Sequence, residues 1–426
     1  MHTMAPADAA MYWASRFAAN DQFLLFAFDA STAASPQSLV AQVRRSAAAV
    51  ADLHLAVESV PSDLDFPRWV PAAVRDDAVV VRPGPYDWAG VLGEIAGVPR
   101  LWGRELWRVH VFDGVSGVHG AGGPARVAVL QISHALGDGR RASAIARALF
   151  GGEFPGTARD APVSVDTGML AALRGAILIG PQVMRATVLG VGAWTASDHR
   201  RVAAPVPLTR GNTDPGATRE LRTLTMPVAA AKAGGRSVTA GVLAGIADIL
   251  PGFLDAPARD ACAEVTVAFA DRPEAQVLAR NRFQTAGVNL HADERDRARR
   301  AGLIGDELAA ARRRIDSAAL VASRRAAGAA PAVLAAVAVR LGADAPPPAA
   351  VSGWTVVSSV NRGPADLTFA GGRVLLTAGF PALSCVHSLT HGVHGIGDTV
   401  TVSVCAGGTI ATDVDRYMTL LEQRFR

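Results

Sequence analysis

The sequence is poor in cysteine. Its three cysteines, Cys262, Cys385 and Cys405, are too few and too scattered along 426 residues for a disulfide framework. The first residues also lack the basic region and the apolar run of a secretory signal. We therefore expect a protein of the reducing cytoplasm.

Lysine and aromatic residues are scarce as well. Lys232 is the only lysine, so nearly all of the 42 basic residues are arginines, and 38 acidic residues reduce the net charge to +4. The arginines are interleaved with acids, and only 6% of the residues are aromatic. Because a nucleic-acid surface needs clustered cations, usually with aromatic residues between them, we expect no nucleic-acid partner.

Two common catalytic signatures are missing. The sequence contains no glycine-rich phosphate loop of the P-loop or dinucleotide-binding type. It also has no Gly-x-Ser-x-Gly elbow of the kind that carries the nucleophile of many hydrolases. These absences exclude P-loop NTPases, Rossmann-type dehydrogenases and elbow-type serine hydrolases.

One group of residues has the composition of a metal site. Cys385, His387, His391 and His394 offer a thiolate and three imidazoles, which are ligands that suit zinc. The histidines would share one face of a helix, but the glycines between them disfavour a continuous helix. We expect no metal here and instead predict a histidine-rich loop that lines a pocket or lies in solvent.

Apolar residues are plentiful. With 50% hydrophobic and 19% charged residues, the chain can bury a large core and suits a globular protein of two α/β units. We place an N-terminal unit at residues 1–160, crossover helices and a linker at 161–216, and a C-terminal unit at 217–426.

The crossover contains one long apolar stretch, residues 168–196. Gly180-Pro181 predicts a break into two helices, and Arg174 and Arg185 interrupt the apolar run, so a transmembrane span is a poor fit. The favoured interpretation is a pair of helices packed against the rest of the protein. The alternative is a basic amphipathic segment on a membrane surface, which would make the protein peripheral to the membrane.

The most informative stretch runs from Ala125 to Phe150. Its first residues are apolar and rich in β-branched side chains, as in a strand buried on both faces. His134 follows, then a glycine turn, then Asp138 at the start of an apolar-periodic run, which predicts a helix capped by Asp138. A histidine at a strand end can accept a proton near neutral pH. The same pattern also fits a core histidine and a plain helix cap.

The motif around His134 resembles that of a known family. His134-Ala-Leu-Gly-Asp138-Gly139 is similar to the His-His-x-x-x-Asp-Gly signature of the bacterial wax ester synthase/diacylglycerol acyltransferases. This family lies within the chloramphenicol-acetyltransferase-like, coenzyme-A-dependent acyltransferase superfamily. Residues 4–9, 105–114 and 360–374 resemble further stretches of the family in the same order. The resemblance therefore spans almost the whole chain.

The resemblance implies a fold and a reaction. The fold is α/β, with two chloramphenicol-acetyltransferase-like subdomains, mixed sheets, flanking helices and an active-site channel between the subdomains. The reaction is acyl transfer from an acyl thioester, such as acyl-coenzyme A, to a hydroxyl or amine acceptor, with no resident cofactor. His134 is the implied general base, and Asp138 the second motif residue, holding the loop through capping or an arginine pair. Ser133, Gly139 and Asn361 are the implied substrate-binding residues.

Three departures from the family pattern bear on the acceptor. Ser133 replaces the first histidine, Ala240-Gly241 replaces an Asn-Asp pair, and the register of Asn361 is shifted by one. The loss of polar groups at Ser133 and at Ala240-Gly241 predicts an acceptor other than a long-chain alcohol or diacylglycerol. Two alternatives stay open: a condensation-type enzyme of natural-product biosynthesis fed by a carrier protein, and a catalytically lapsed binding or scaffold protein.

Overall fold

The computed structural model describes residues 2–30, 32–101, 103–152, 168–196, 205–232, 234–270 and 279–426. The elements up to residue 196 are β1 (His2–Thr3), α1 (Pro6–Ala14), β2 (Gln22–Asp29), α2 (Pro36–Ala48), β3 (Leu55–Glu58), β4 (Arg68–Pro71), β5 (Val79–Arg82), α3 (Trp88–Ala96), β6 (Trp107–Val115), β7 (Ala125–Ile132), α4 (Gly139–Leu149) and α5 (Gly168–Ala196).

The second half of the chain contributes the remaining elements. They are β8 (Val206–Pro207), β9 (Arg219–Pro227), α6 (Val228–Lys232), α7 (Val238–Phe253), β10 (Cys262–Ala268), β11 (Phe283–Asn289), α8 (Arg297–Ile315), α9 (Ala318–Gly328), α10 (Ala332–Ala343), β12 (Ala350–Val351), β13 (Thr355–Asn361), β14 (Thr368–Phe369), β15 (Gly372–Gly379), β16 (Leu389–Ile396), β17 (Thr399–Gly407), α11 (Gly408–Thr412) and α12 (Val414–Phe425).

Two six-stranded mixed sheets organise these elements. The first has the strand order β14-β15-β2-β7-β6-β5, and the second has the order β11-β10-β13-β16-β17-β9. All eight residues of β7 are buried, as the sequence predicted, because β7 lies inside its sheet between β2 and β6. Helices flank the sheets, so the predicted α/β class with two mixed sheets is confirmed.

The C-terminal segment also contributes two strands to the first sheet. The pair β14 and β15 belongs to the C-terminal segment, yet β15 pairs antiparallel with β2 in the first sheet. The two halves are therefore joined by an exchanged hairpin, which local sequence patterns do not reveal. The boundary at residue 160 lies outside the described residues, and the three-part division stays a prediction.

Two local predictions were wrong for identifiable reasons. The helix α5 runs through Pro181 without a break, since a proline removes only one backbone hydrogen bond and packing along α9 supports the helix. The histidine-rich segment is the buried strand β16 and not a loop. Close packing there requires glycine, because a Cβ on Gly392 would lie 2.1 Å from the carbonyl oxygen of Gly379.

Helix α5 stands out by its exposure. Among the described residues, α5 is the one continuous helix that is long and apolar enough to cross a membrane. Taken together, α9 and α10 are also long and apolar enough, but the two helices are bent by 107° relative to each other. In the most apolar 18-residue stretch of α5, only 6% of the residues are buried. Its 29 residues leave large apolar side chains exposed to solvent: Met169, Leu170, Leu173, Ile177, Leu178, Val183, Met184, Val188, Val191 and Trp194.

Candidate active site

A cavity of about 770 Å³ lies between the two halves of the chain, a size typical of small-molecule sites. Both sheets contribute to its wall. Its lining includes Gln22, Phe23, His134, Gly139 and Ser143 from the first half and Thr266, Phe283, Thr285, Val356, Ser358, Val360, Arg362 and His394 from the second. The predicted channel between subdomains is therefore present, and it is open.

His134 lies at the end of the central strand of the first sheet. The chain leaves β7 and forms a single 3-10 turn, His134–Leu136, which Ser133 caps by accepting a hydrogen bond from the N–H of Ala135 at 3.3 Å. The imidazole lies against the ring of Phe283 from the second sheet, with 5.6 Å between ring centroids. His134 is thus presented to the cavity at the junction of the two halves.

Asn281 fixes the tautomer of His134. Its side-chain Nδ2 donates to a carboxylate oxygen of Asp8 at 3.0 Å and to the backbone carbonyl of His134 at 2.7 Å. Asn281 can therefore offer only its Oδ1 to the imidazole, so the Nδ1–H of His134 donates to it at 3.3 Å. Neutral His134 keeps its lone pair on Nε2, as a general base requires.

Asp8 holds Asn281 in place. This carboxylate, fully buried in α1, accepts hydrogen bonds from the backbone N–H groups of Arg280 and Asn281, both at 2.9 Å at their shortest. Burial raises the pKa of Asp8, although these hydrogen bonds oppose the shift. Sequence reasoning noted Asp8 only within the N-terminal resemblance and missed Asn281. An acid inside an otherwise apolar helix was the available signal.

Burial also sets the protonation of the candidate base. It lowers the pKa of His134 below the ordinary 6.5, because desolvation disfavours the imidazolium. The hydrogen bond with Asn281 and the charge of Asp138 act in the opposite direction but do not outweigh burial. The imidazole is therefore neutral at pH 7 and able to accept a proton.

Asp138 performs a structural task at the start of α4. One carboxylate oxygen accepts from the backbone N–H groups of Arg140 and Arg141, both at 3.1 Å, which is the predicted helix cap. The other accepts from the backbone N–H of Arg282 at 3.0 Å. Asp138 thus ties the motif helix to the segment that carries Asn281. In this contact between Asp138 and an arginine, the donor is the backbone N–H of Arg282.

A buried ion cluster stabilises the same junction. Asp52 accepts two hydrogen bonds from Arg141, at 2.8 and 3.0 Å, and also pairs with Arg280. The guanidinium of Arg280 stacks on Trp69 with 4.8 Å to the ring centroid. Because Arg141 belongs to α4 and Arg280 precedes Asn281, Asp52 joins the two segments that position His134.

The other predicted substrate-binding residues differ in their placement. Gly139 lines the cavity, where a Cβ would lie 3.3 Å from Val360. Ser133 is buried and Asn361 is exposed, and neither is among the residues that line the cavity. Asn361 accepts from the backbone N–H of Gly363 at 3.0 Å. These contacts favour local structural roles for Ser133 and Asn361.

His391 in β16 and His387 in the turn before it both have protein partners. His391 hydrogen-bonds Thr355 at 2.9 Å and Tyr417 at 2.6 Å, and burial lowers its pKa to about 3. His387 hydrogen-bonds Ser384 at 3.0 Å and the carbonyl of Gly353 at 3.1 Å. Within the described parts of the chain, no three His, Cys, Asp or Glu side chains are arranged to hold a metal ion.

Solved structures share this architecture. The wax ester synthase/diacylglycerol acyltransferase from Marinobacter aquaeolei VT8 matches with a TM-score of 0.62 and 16% identity, over 99% of this chain and 98% of that chain. The first condensation domain of the calcium-dependent antibiotic synthetase, in complex with a substrate analogue, matches with a TM-score of 0.58 and 17% identity, over 100% of this chain and 96% of that chain.

A third similar structure is an acetyltransferase. The trichothecene 15-O-acetyltransferase from Fusarium sporotrichioides matches with a TM-score of 0.57 and 14% identity, over 99% of this chain and 93% of that chain. No protein-family model and no curated protein sequence matches the chain. At these identities the likeness establishes the fold, which is that of the two-subdomain, chloramphenicol-acetyltransferase-like proteins.

Proposed function

We propose that the chain is an acyltransferase that moves an acyl group from an acyl thioester to a hydroxyl or amine. The observation that carries this proposal is the orientation of His134, whose Nδ1–H is held by Asn281 while the side chain lines an open cavity between the subdomains. An open cavity favours an enzyme over a scaffold protein, which has no need to keep one. The structures with the same fold include acyltransferases acting on different acceptors, which supports the reaction class.

The chemistry follows from the tautomer. The Nε2 lone pair takes the proton from the acceptor hydroxyl or amine as that atom attacks the thioester carbonyl carbon. The resulting tetrahedral intermediate collapses by breaking the carbon–sulfur bond. The departing thiolate receives the proton back from the imidazolium, so that ester or amide and free thiol are formed and neutral His134 is regenerated. Asp138 and Asn281 act as positioning residues in this scheme.

The proposal predicts a low acid limit for activity. Since burial lowers the pKa of His134 below its ordinary 6.5, the acid-side fall of kcat/KM is expected at a lower pH than for an exposed histidine. A pH profile of thiol release from acyl-coenzyme A, at saturating acceptor, checks this. We expect the acid-side midpoint below 6.5, and a midpoint above 7 would contradict a buried histidine base.

We further propose that the apolar face of α5 rests on a lipid surface, which would supply acyl substrates to a peripheral enzyme. The helix spans about 43 Å and contains no acidic residue, and its charged residues are Arg174 and Arg185. Arg174 pairs with Asp65 at 2.6 Å, and the backbone of Gly175 lies against that of Leu64, so one face is anchored to the protein. The opposite apolar face, ending in an exposed Trp194, suits the interface of a membrane.

Vesicle binding tests the role of α5. Replacing Ile177 and Met184, 68% and 70% exposed, with glutamate is expected to weaken binding to phosphatidylcholine/phosphatidylglycerol vesicles by about tenfold or more. Turnover of short-chain soluble substrates should not change, because neither residue lines the cavity. The matched control is Leu208→Glu, at an exposed site outside α5. Equal sedimentation of all variants with vesicles would contradict the proposal.

A further inference from the structure

Arg362 is unusual among the arginines of this chain. Five arginines are buried in the described residues, and four of them pair with a carboxylate: Arg68 with Glu58, Arg126 with Asp113, Arg280 with Asp52, and Arg300 with Asp248. Arg362 is only 3% exposed, and its hydrogen bonds lead to a hydroxyl and a backbone carbonyl. No Asp or Glu of the described residues forms an ion pair with it.

A buried cation without a counter-ion is costly unless something else compensates its charge. Burial lowers the pKa of Arg362 to about 9, so the guanidinium is still charged at neutral pH. A cation–π interaction with Phe26, whose ring centroid lies 5.2 Å from the guanidinium carbon, compensates only part of this cost. The side chain lines the cavity that contains His134, which places the uncompensated charge where a substrate would lie.

The geometry of the guanidinium leaves one edge available. One terminal nitrogen, Nη1, donates to Thr377 Oγ1 at 2.5 Å and to the carbonyl of Ala378 at 2.9 Å. The other edge, formed by Nε and Nη2, has no hydrogen-bond partner among the described residues, and Nε is a buried donor left unpaired. Arg141 uses this same edge to bind Asp52 with two hydrogen bonds, which is how arginine binds a planar carboxylate.

His394 supplies a second unpaired polar group at the same place. It is 5% exposed, lines the cavity, and its Nδ1 is buried without a hydrogen-bond partner in the described chain. Both side chains converge on Gly379, where a Cβ would lie 2.6 Å from Nη2 of Arg362 and 2.9 Å from Cε1 of His394. Glycine therefore keeps the space next to both groups clear.

We propose that Arg362 and His394 form a subsite for a carboxylate carried by the substrate. The inference rests on the proposed function and narrows its substrate class to a hydroxy or amino acid acceptor, or to an acyl chain that ends in an acid. A monoanion balances the single positive charge, whereas a phosphate dianion would leave excess negative charge in a largely apolar wall. The neutral imidazole of His394 contributes a hydrogen-bond donor to the same anion.

The first test measures binding without turnover. Octanoate and octanamide are titrated into the full-length protein in the absence of an acyl donor, and affinity is read by calorimetry and by the shift in melting temperature. We expect octanoate to bind at least about tenfold more tightly than octanamide, because only the carboxylate satisfies Arg362. The variant Arg362→Met should abolish this difference, and Arg362→Lys should restore part of it. Equal binding of both ligands to the unmodified protein, or tighter binding of octyl phosphate, would overturn the carboxylate subsite.

The second test locates the carboxylate in the reaction. One arm compares ω-hydroxy acids of increasing length with their methyl esters as acceptors, and the other compares adipoyl-coenzyme A with hexanoyl-coenzyme A as donors. We expect a preference of about 100-fold in kcat/KM for the acid in one arm, and its loss in Arg362→Met. Arg219→Met is the matched control, since Arg219 bonds the carbonyls of Ala96 and Val98 and does not line the cavity.

The two tests separate the subsite from the reaction. If octanoate binding depends on Arg362 but no donor and acceptor react, the subsite stands and the proposed function fails. If neutral substrates react efficiently and a carboxylate gives no advantage in either arm, the reaction stands and the subsite is overturned.

Discussion

Replacing His134 with alanine is expected to lower the rate of acyl transfer by about 10²–10⁴-fold while the protein stays folded. The rate falls because the variant has no group to take the proton from the acceptor. Stability changes little, since the imidazole lies at the wall of a cavity and, among the described residues, its side chain makes one hydrogen bond, to Asn281. Thiol release and a thermal melt of the same sample measure the two effects.

A second histidine provides the control for this prediction. His119 lies on an exposed loop between β6 and β7, so His119→Ala should keep both turnover and melting temperature. A folded His134→Ala protein with the turnover of the unmodified enzyme would refute the assignment of the base. A His134→Ala protein that fails to fold calls for His134→Asn, which keeps a polar side chain at the cavity wall and still lacks a usable base.

Replacing Asp52 with asparagine is expected to destabilise the protein by about 3–5 kcal/mol. Asp52 is 2% exposed and is the shared partner of Arg141 and Arg280, so its neutralisation leaves two cations at the junction without their counter-ion. Activity should fall as well, because Arg280 precedes Asn281 and helps to place it beside His134. The measurement is the free energy of unfolding from a urea melt.

An exposed ion pair serves as the matched control for Asp52. Arg44 and Asp76 are 2.7 Å apart, but the carboxylate of Asp76 is fully exposed, so Asp76→Asn should leave the urea midpoint unchanged. If Asp52→Asn also melts at the midpoint of the unmodified protein, the buried cluster does not stabilise the junction. The positioning of Asn281 would then depend on Asp8 and Asp138 alone.

The sequence predicted the parts of the site that are local in the chain. The strand β7, the turn at His134 and the cap at Asp138 lie within a stretch of less than thirty residues, and each is determined by apolar spacing or by capping chemistry. The resemblance to a family extended this to two subdomains with a cavity between them. Both expectations agree with the structure.

The parts that sequence reasoning missed are contacts between distant residues. Asn281 lies 147 positions from His134, and Asp8 lies 273 positions from Asn281. No local pattern links an asparagine to the tautomer of a histidine so far away. At β16 the glycines led to a wrong prediction of a loop. Gly392 is instead part of a strand, where close contact with the backbone of Gly379 requires a residue without a side chain.

The sequence also gave no reason to distinguish Arg362 from the other arginines. Its special feature is that no acid of the described residues forms an ion pair with it, which depends on how β13, β15 and β16 come together. For Ser133 and Asn361, in contrast, the sequence suggested a role that their contacts in the structure do not favour. Their positions in the motifs suggested substrate contacts, but the folded chain uses both to accept local backbone hydrogen bonds.

The central claim is acyl transfer, and product analysis tests it most directly. The protein is incubated with a panel of acyl-coenzyme A donors and with hydroxyl or amine acceptors, including hydroxy acids; free thiol is quantified, and the acylated acceptor is identified by mass spectrometry. We predict one equivalent of thiol for each equivalent of ester or amide, with thiol release that depends on the acceptor. Thiol release that yields only the free acid, or no thiol release from any donor, would contradict the account.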